Sequence, residues 1–247
     1  MLTPIRSFGL GAIALEEIII VIRAMKVVLL LMSCVFACVL FGDTFTEVGD
    51  AGSLPATAEV TTGIGALTAI DGTLDPTSGD IADMYKIFIT GGGTFSATTV
   101  GGASFDTELY LFDSAGVGIY ANDDFTGFLG PSTLPAGMAL TPSASGLYYL
   151  AISQCCFEPS NGSGAIFNAS FDHNAVVGAT QSGGALPITD YSGASDQTSG
   201  GGAYTITLTG AQFAAPVSAV PEPGTLFLLL TGVAGIIGRQ YKERRRS

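Results

Sequence analysis

From residue 43 to residue 220 the chain never sustains the 3.6-residue apolar repeat of a helix, and its apolar residues come in short runs closed by Gly, Pro, Asp or Asn. Asp83 to Thr90 alternates with the two-residue period of a half-buried strand and ends at Gly91-Gly92-Gly93, after which Thr94 to Val100 reads as the return strand. Thr107 to Phe112 sets Leu109 and Leu111 on the opposite face from Tyr110 and Phe112, and Asp113 to Gly116 turns the chain into Val117 to Ala121, a hairpin. Further strands are expected at Ile64 to Ile70, Thr133 to Leu140, Leu147 to Ser153, Ala165 to Phe171 and Ala203 to Leu208. The fold class that follows is all-β, an antiparallel β-sandwich of jelly-roll type.

Charge narrows what such a body meets. Residues 43–220 hold 17 Asp and Glu against one cation, Lys86, a net charge of −16. A polyanion of this kind is no partner for nucleic acid. The regular Tyr, Phe, Ile, Leu and Val runs argue against a disordered acidic segment, and the length suits one domain with its own core. Strong negative charge keeps a protein soluble and invites divalent cations.

Both ends of the chain differ from this body. Met25-Lys26 followed by the apolar run Val27 to Phe41, with Ala37 and Gly42 as small residues, reads as a secretory signal peptide. Glu16 and Glu17 would interrupt a signal that began at Met1, so translation is expected to start at Met25. At the other end, Gly224 to Gly238 is 15 apolar-rich residues. As a transmembrane helix they span about 22 Å, short of a bilayer core of about 30 Å. Arg239, Lys242 and Arg244 to Arg246 then hold that end in the cytoplasm and leave the body outside. Pro221 and Pro223 keep the segment before the helix extended. The expected organisation is an N-terminal extension and signal helix (1–42), a lead-in with the first strands (43–79), and the sandwich (80–210) with an insertion at 154–202. A linker (211–223), the membrane helix (224–238) and a basic tail (239–247) complete it.

The order Pro221-Glu222-Pro223, apolar helix and basic tail resembles the PEP-CTERM sorting signal of Gram-negative bacteria. That resemblance implies an exosortase, a membrane protease-transpeptidase that cuts near Pro-Glu-Pro, and a link to exopolysaccharide. It also implies passage through the inner membrane, a transient anchor there, and a final place at the cell surface or in the extracellular matrix. Residues 80–152 are similar to the bacterial pre-peptidase C-terminal domain, a β-sandwich related to clostridial collagen-binding modules. The matching elements are Asp83-x-Tyr85, Gly91 to Gly93, Phe105 to Asp113, Gly116, Asn122-Asp123-Asp124 and Gly146 to Leu150. Past Ser153 the chain departs from that pattern, which leaves ligand specificity open.

Chemistry is sparse. The one histidine, His173, rules out a zinc site built on two histidines, and no catalytic residues are assigned. Cys155 and Cys156 are expected as a vicinal disulfide, an interchain bridge or free thiols. Asp80, Asp83, Asp106, Asn122, Asp123 and Asp124 lie at strand starts and ends, where a sandwich gathers them at one end, and calcium takes six to eight such oxygens. The collagen-binding resemblance likewise implies a stabilising calcium ion, although Asp and Asn also serve simply as turn formers. The expected function is a non-catalytic exported module with structural or adhesive duties. Two alternatives stand beside it. One is a calcium-dependent module binding a polysaccharide or protein through Tyr110, Tyr120, Tyr148 and Tyr149. The other is a hydrolase with paired carboxylates.

Overall fold

The computed structural model describes residues 43–127, 129–168, 174–193 and 200–215. The signal segment, the sorting motif, the membrane helix and His173 lie outside the described residues. Among the described residues there is no helix.

Two sheets face one another. The first has five strands: β1 (Asp43–Thr46), β3 (Leu67–Leu74), β14 (Gly202–Thr209), β5 (Ser96–Thr98) and β8 (Thr133–Leu134), in that spatial order. The second runs β12 (Val177–Gly178), β7 (Gly118–Asn122), β6 (Thr107–Phe112), β9 (Gly146–Gln154), β4 (Ala82–Ile89) and β15 (Ala211–Phe213), with β2 (Glu59–Val60) also on β4. Ile70, Leu74, Tyr204, Ile206 and Ala97 from the first sheet share one buried cluster with Tyr85, Ile87, Leu109, Leu111 and Ile152 from the second. Fully burying one such side chain is worth about 1.5–3 kcal/mol, which is why the alternation along β4 and β14 fixes which face turns inward.

A third layer covers the second sheet. The stretch read as an insertion forms β10 (Phe157–Asn161), β11 (Gly164–Ala165) and β13 (Asp190–Gly193), a small sheet of its own. Its Ile166, Phe167 and Ile188 pack with Met84, Tyr110, Phe112 and Ala151 from the outer face of the second sheet. The Phe167 ring lies 5.5 Å from that of Tyr110 and 5.7 Å from that of Phe112. All six residues of β6 are therefore buried, and the Leu109/Leu111 face and the Tyr110/Phe112 face each meet a core of their own.

The structure amends several expectations. The sandwich is mixed, because β1 pairs parallel with β3 and β2 pairs parallel with β4. Thr94 to Val100 is not a return strand on β4. The three glycines, with φ of 82, 69 and 71°, carry the chain across to the other sheet, where β5 pairs with β14 and β8. Only Thr133 and Leu134 of the expected 133–140 strand are extended in a ladder, and the strand expected at 165–171 reduces to β11 among the described residues. The linker expected from residue 211 begins instead with β15, which pairs antiparallel with β4 from Ala211 to Phe213.

If the third layer is part of the cooperative unit, Phe167→Ala should cost about 3–5 kcal/mol, as a core truncation does. Thr207→Ala on the exposed side of β14 should stay within about 0.5 kcal/mol. Urea unfolding of both variants checks the contrast.

Candidate functional site

The starts of β4 and β6 and the ends of β7 and β9 fall at one end of the sandwich, since Ala82 and Glu108 both pair with Ser153 and Leu109 pairs with Asn122. The sequence-predicted acids do collect at this end, but not around one point. Asp83, Ile152, Leu109 and Asn122 lie in one cross-strand row. Three strand steps of about 4.8 Å separate its ends by about 14 Å. Oxygens on a single calcium lie at most about 5 Å apart, so Asp83 and Asn122 cannot share one ion.

The first group joins Asp83 to two residues of the lead-in. Carboxylate oxygens of Glu47, Asp50 and Asp83 lie within 4.8 Å of one another. Parallel pairing of β1 with β3 brings Glu47 there, and its two oxygens accept from the backbone N–H groups of Ala51 and Thr73, each at 2.9 Å. Asp50 accepts from Gly52 N–H at 3.0 Å, and Met84 N–H donates to Gly52 C=O at 3.1 Å, which docks this loop on the start of β4. Asp83 is fully buried, and its Oδ2 accepts from Tyr204 Oη–H at 2.6 Å. Tyr204 also bonds Tyr85 Oη at 2.6 Å, and a Cβ on Gly72 would lie 2.3 Å from the Tyr204 oxygen, so this tyrosine pair depends on glycine there. Asp83 Oδ1 has no hydrogen-bond partner among the described residues. Burial, with the charges of Glu47, Asp80 and Asp50 behind it, pushes the Asp83 carboxyl up to about 8 against the hydrogen bond from Tyr204. Asp80 is also raised, mainly by burial and then by Asp50 and Glu47, while its Oδ2 accepts from Asp75 N–H at 3.0 Å.

The second group lies under the third layer. Oxygens of Asp106 and Asp123 come within 4.8 Å of one another and of Cys155 Sγ. Glu108, on the same face as Tyr110, is fully buried and accepts from Tyr110 Oη–H at 2.5 Å and Ser153 Oγ–H at 3.1 Å. Burial first, and then the charge of Asp123, holds its carboxyl well above the usual range. Asn122 and Asp124 are occupied as loop fasteners. Asn122 accepts from Thr133 N–H at 2.8 Å and donates to the carbonyls of Asp124 and Ala175, and Asp124 accepts from Gly130 N–H at 2.6 Å. Cys155 and Cys156 are joined to each other as a disulfide across a cis peptide bond.

No described cation answers either group. Lys86 is the one Lys or Arg among the described residues, and its ammonium sits 5.4 Å above the Tyr149 ring. An open cleft of about 620 Å³ at the same end is lined by Leu74 to Thr77, Gln154 and glycines 200–202, and supplies one carboxylate, Asp75. Nor do the four tyrosines form a stacking platform. Tyr110 lies under the third layer, Tyr120 is in the main core, Tyr149 is 7 % exposed, and Tyr148 is half-buried with its hydroxyl on Ala144 C=O.

The raised acids set a sign for stability. Asp83 ionises at 3.8 unfolded and at about 8 folded, so its contribution is complete below 3.8 and is lost as pH rises through 8. Glu108 acts in the same direction. In a chelator, the melting temperature should therefore fall as pH rises across this window. Asp83→Asn should flatten the fall by at most about 1.4 kcal/mol per pH unit, read from urea unfolding at several pH values.

A family model described as the PEP-CTERM protein-sorting motif matches residues 219–245. No curated protein matches the chain. The chain thus carries at its C-terminus a sorting motif that implies export, a transient membrane anchor and processing by exosortase, a membrane protease.

Proposed function

We propose that this is a non-catalytic surface or matrix protein of a Gram-negative bacterium, cut near Pro221-Glu222-Pro223, whose sandwich has a structural or adhesive role. The observation that carries the reading is the sorting motif at residues 219–245 directly after a folded all-β body. The open cleft beside Leu74 to Thr77 offers one carboxylate, Asp75, where a paired-carboxylate hydrolase uses two. The likeness of residues 80–152 to the pre-peptidase C-terminal sandwich belongs to the same reading. Fractionating cells with and without the exosortase, and weighing the mature species, tests it. The expected product ends near Pro221 and leaves the membrane fraction only when the protease is present; full-length protein in the membrane of both strains would refute it.

A specific observation favours a second, compatible reading, in which a calcium ion stabilises the fold at Glu47, Asp50 and Asp83 with Asp80 beside them. The oxygens of Glu47, Asp50 and Asp83 meet the separation allowed by one ion, and Asp83 Oδ1 is buried without a hydrogen bond among the described residues. Calcium would replace the proton on Asp83, so the gain in melting temperature should be larger at pH 8 than at pH 5. Asp50→Ala, at an exposed position, should remove most of the gain, whereas Asp123→Ala should leave it. Equal melting curves with calcium and with chelator at pH 8 would dismiss the ion.

A further inference from the structure

Between β7 and β8 the chain bridges the two sheets at the end of the sandwich where the acids collect, and this connection turns apolar side chains to solvent. Phe125 is 52 % exposed and Leu129 is 62 % exposed. The stem beneath them is fastened. Phe125 N–H donates to Pro131 C=O at 2.8 Å, Gly130 N–H to Asp124 Oδ1 at 2.6 Å, and Thr107 N–H to Gly130 C=O at 3.1 Å. Leu129 has a φ of 65°, a left-handed conformation that is costly for a bulky side chain and suits glycine or asparagine. The loop thus holds a large apolar group in water where a small polar residue would fit better on both counts. No charged residue occurs between Asp124 and Glu158, although residues 43–220 carry a net charge of −16. Asp123 and Asp124, beside the tip, are buried.

We infer that Phe125 and Leu129 rest in the surface of a phospholipid bilayer while the C-terminal segment anchors the chain, an inference that builds on the anchored stage of the proposed function. The heading of β15 carries it. Phe213 pairs with Ile87 and β15 runs antiparallel to β4, so the chain leaves the body toward the Asp83 end, which is also the end that bears Phe125 and Leu129. The sorting motif starts at residue 219, and its apolar run at Gly224. From the level of Phe213 to that of Phe125 there are at most seven residue steps, four from Ile87 to Asp83 and three from Asn122 to Phe125, or about 24 Å. The eleven links from Phe213 to Gly224 reach up to about 36 Å. The tether therefore suffices to bring the loop and the apolar run to one level, and the strand's direction turns that end to the membrane. There the exposed Phe and Leu exchange water for the headgroup and acyl boundary, which favours apolar side chains. An uncharged tip on an acidic body selects zwitterionic headgroups over anionic ones.

The chain has no tryptophan, so Phe125→Trp places a single fluorescent reporter at the tip. Met138→Trp is the control, at a residue that is 41 % exposed but lies at the opposite end, where Gly137 N–H donates to Gly93 C=O at 2.9 Å. Each exported protein, purified with its C-terminal segment from cells without exosortase, is floated with phosphatidylcholine vesicles whose acyl chains carry a spin label near the headgroup. Quenching of the tip reporter should exceed that of the control at least about twofold. Leu129→Asn beside Phe125→Trp should reduce the quenching while the melting temperature holds or rises, because asparagine tolerates this φ. Phosphatidylglycerol in place of phosphatidylcholine should weaken it at low salt. Equal quenching at the two positions in protein that floats, or quenching confined to phosphatidylglycerol, would overturn the inference and leave the sorting reading intact. Protein that does not float would overturn the anchor and this inference together.

Discussion

Burial of the second sheet on both faces is the constraint on which the rest depends. Strand β6 carries Leu109 and Leu111 to one core and Tyr110 and Phe112 to another, and Glu108 is drawn into the second core by its place in that alternation. A carboxyl in such a place is costly to ionise. The bonds from Tyr110 and Ser153 make it tolerable as an acid rather than as a charge.

The same shortage of counter-charge appears at the other acidic group. With Lys86 over Tyr149, nothing cationic among the described residues reaches Glu47, Asp50, Asp80 or Asp83. Solvent reaches Asp50 and backbone N–H groups hold Glu47, whereas burial favours the protonated form of Asp83. Asp83 is tied through Tyr204 and Tyr85 to both sheets, so what neutralises it also bears on how the sheets close.

Strands with clean alternation were legible in the chain. Asp83 to Thr90, Thr107 to Phe112, Leu147 to Ser153 and Ala203 to Leu208 each correspond to a strand within a residue or two. What alternation cannot report is the partner. Gly91 to Gly93 marks a turn, but only the packed sheets show that the chain crosses between them there rather than folding back. Gathering of the acids at one end was readable from their places at strand ends, whereas their division into two groups follows from three intervening strand widths. Glu47 and Asp50 carried no signal, because a parallel edge strand between distant segments brings them to Asp83. Glu108 was hidden for another reason, since the layer that buries it comes from the insertion at 154–202, whose packing on the second sheet no local pattern reports. Cys155 and Cys156 allowed several states by sequence, and the structure shows them bonded to each other.

Strand β15 sets a mechanical boundary condition on processing. Phe213 is still laddered to Ile87, and Ala215 N–H donates to Thr61 C=O at 3.1 Å. From there to Pro221 the backbone has six links, a tether of at most about 20 Å. Any enzyme that cuts at that proline must reach it within that distance of the folded body, and a longer segment there should ease scission.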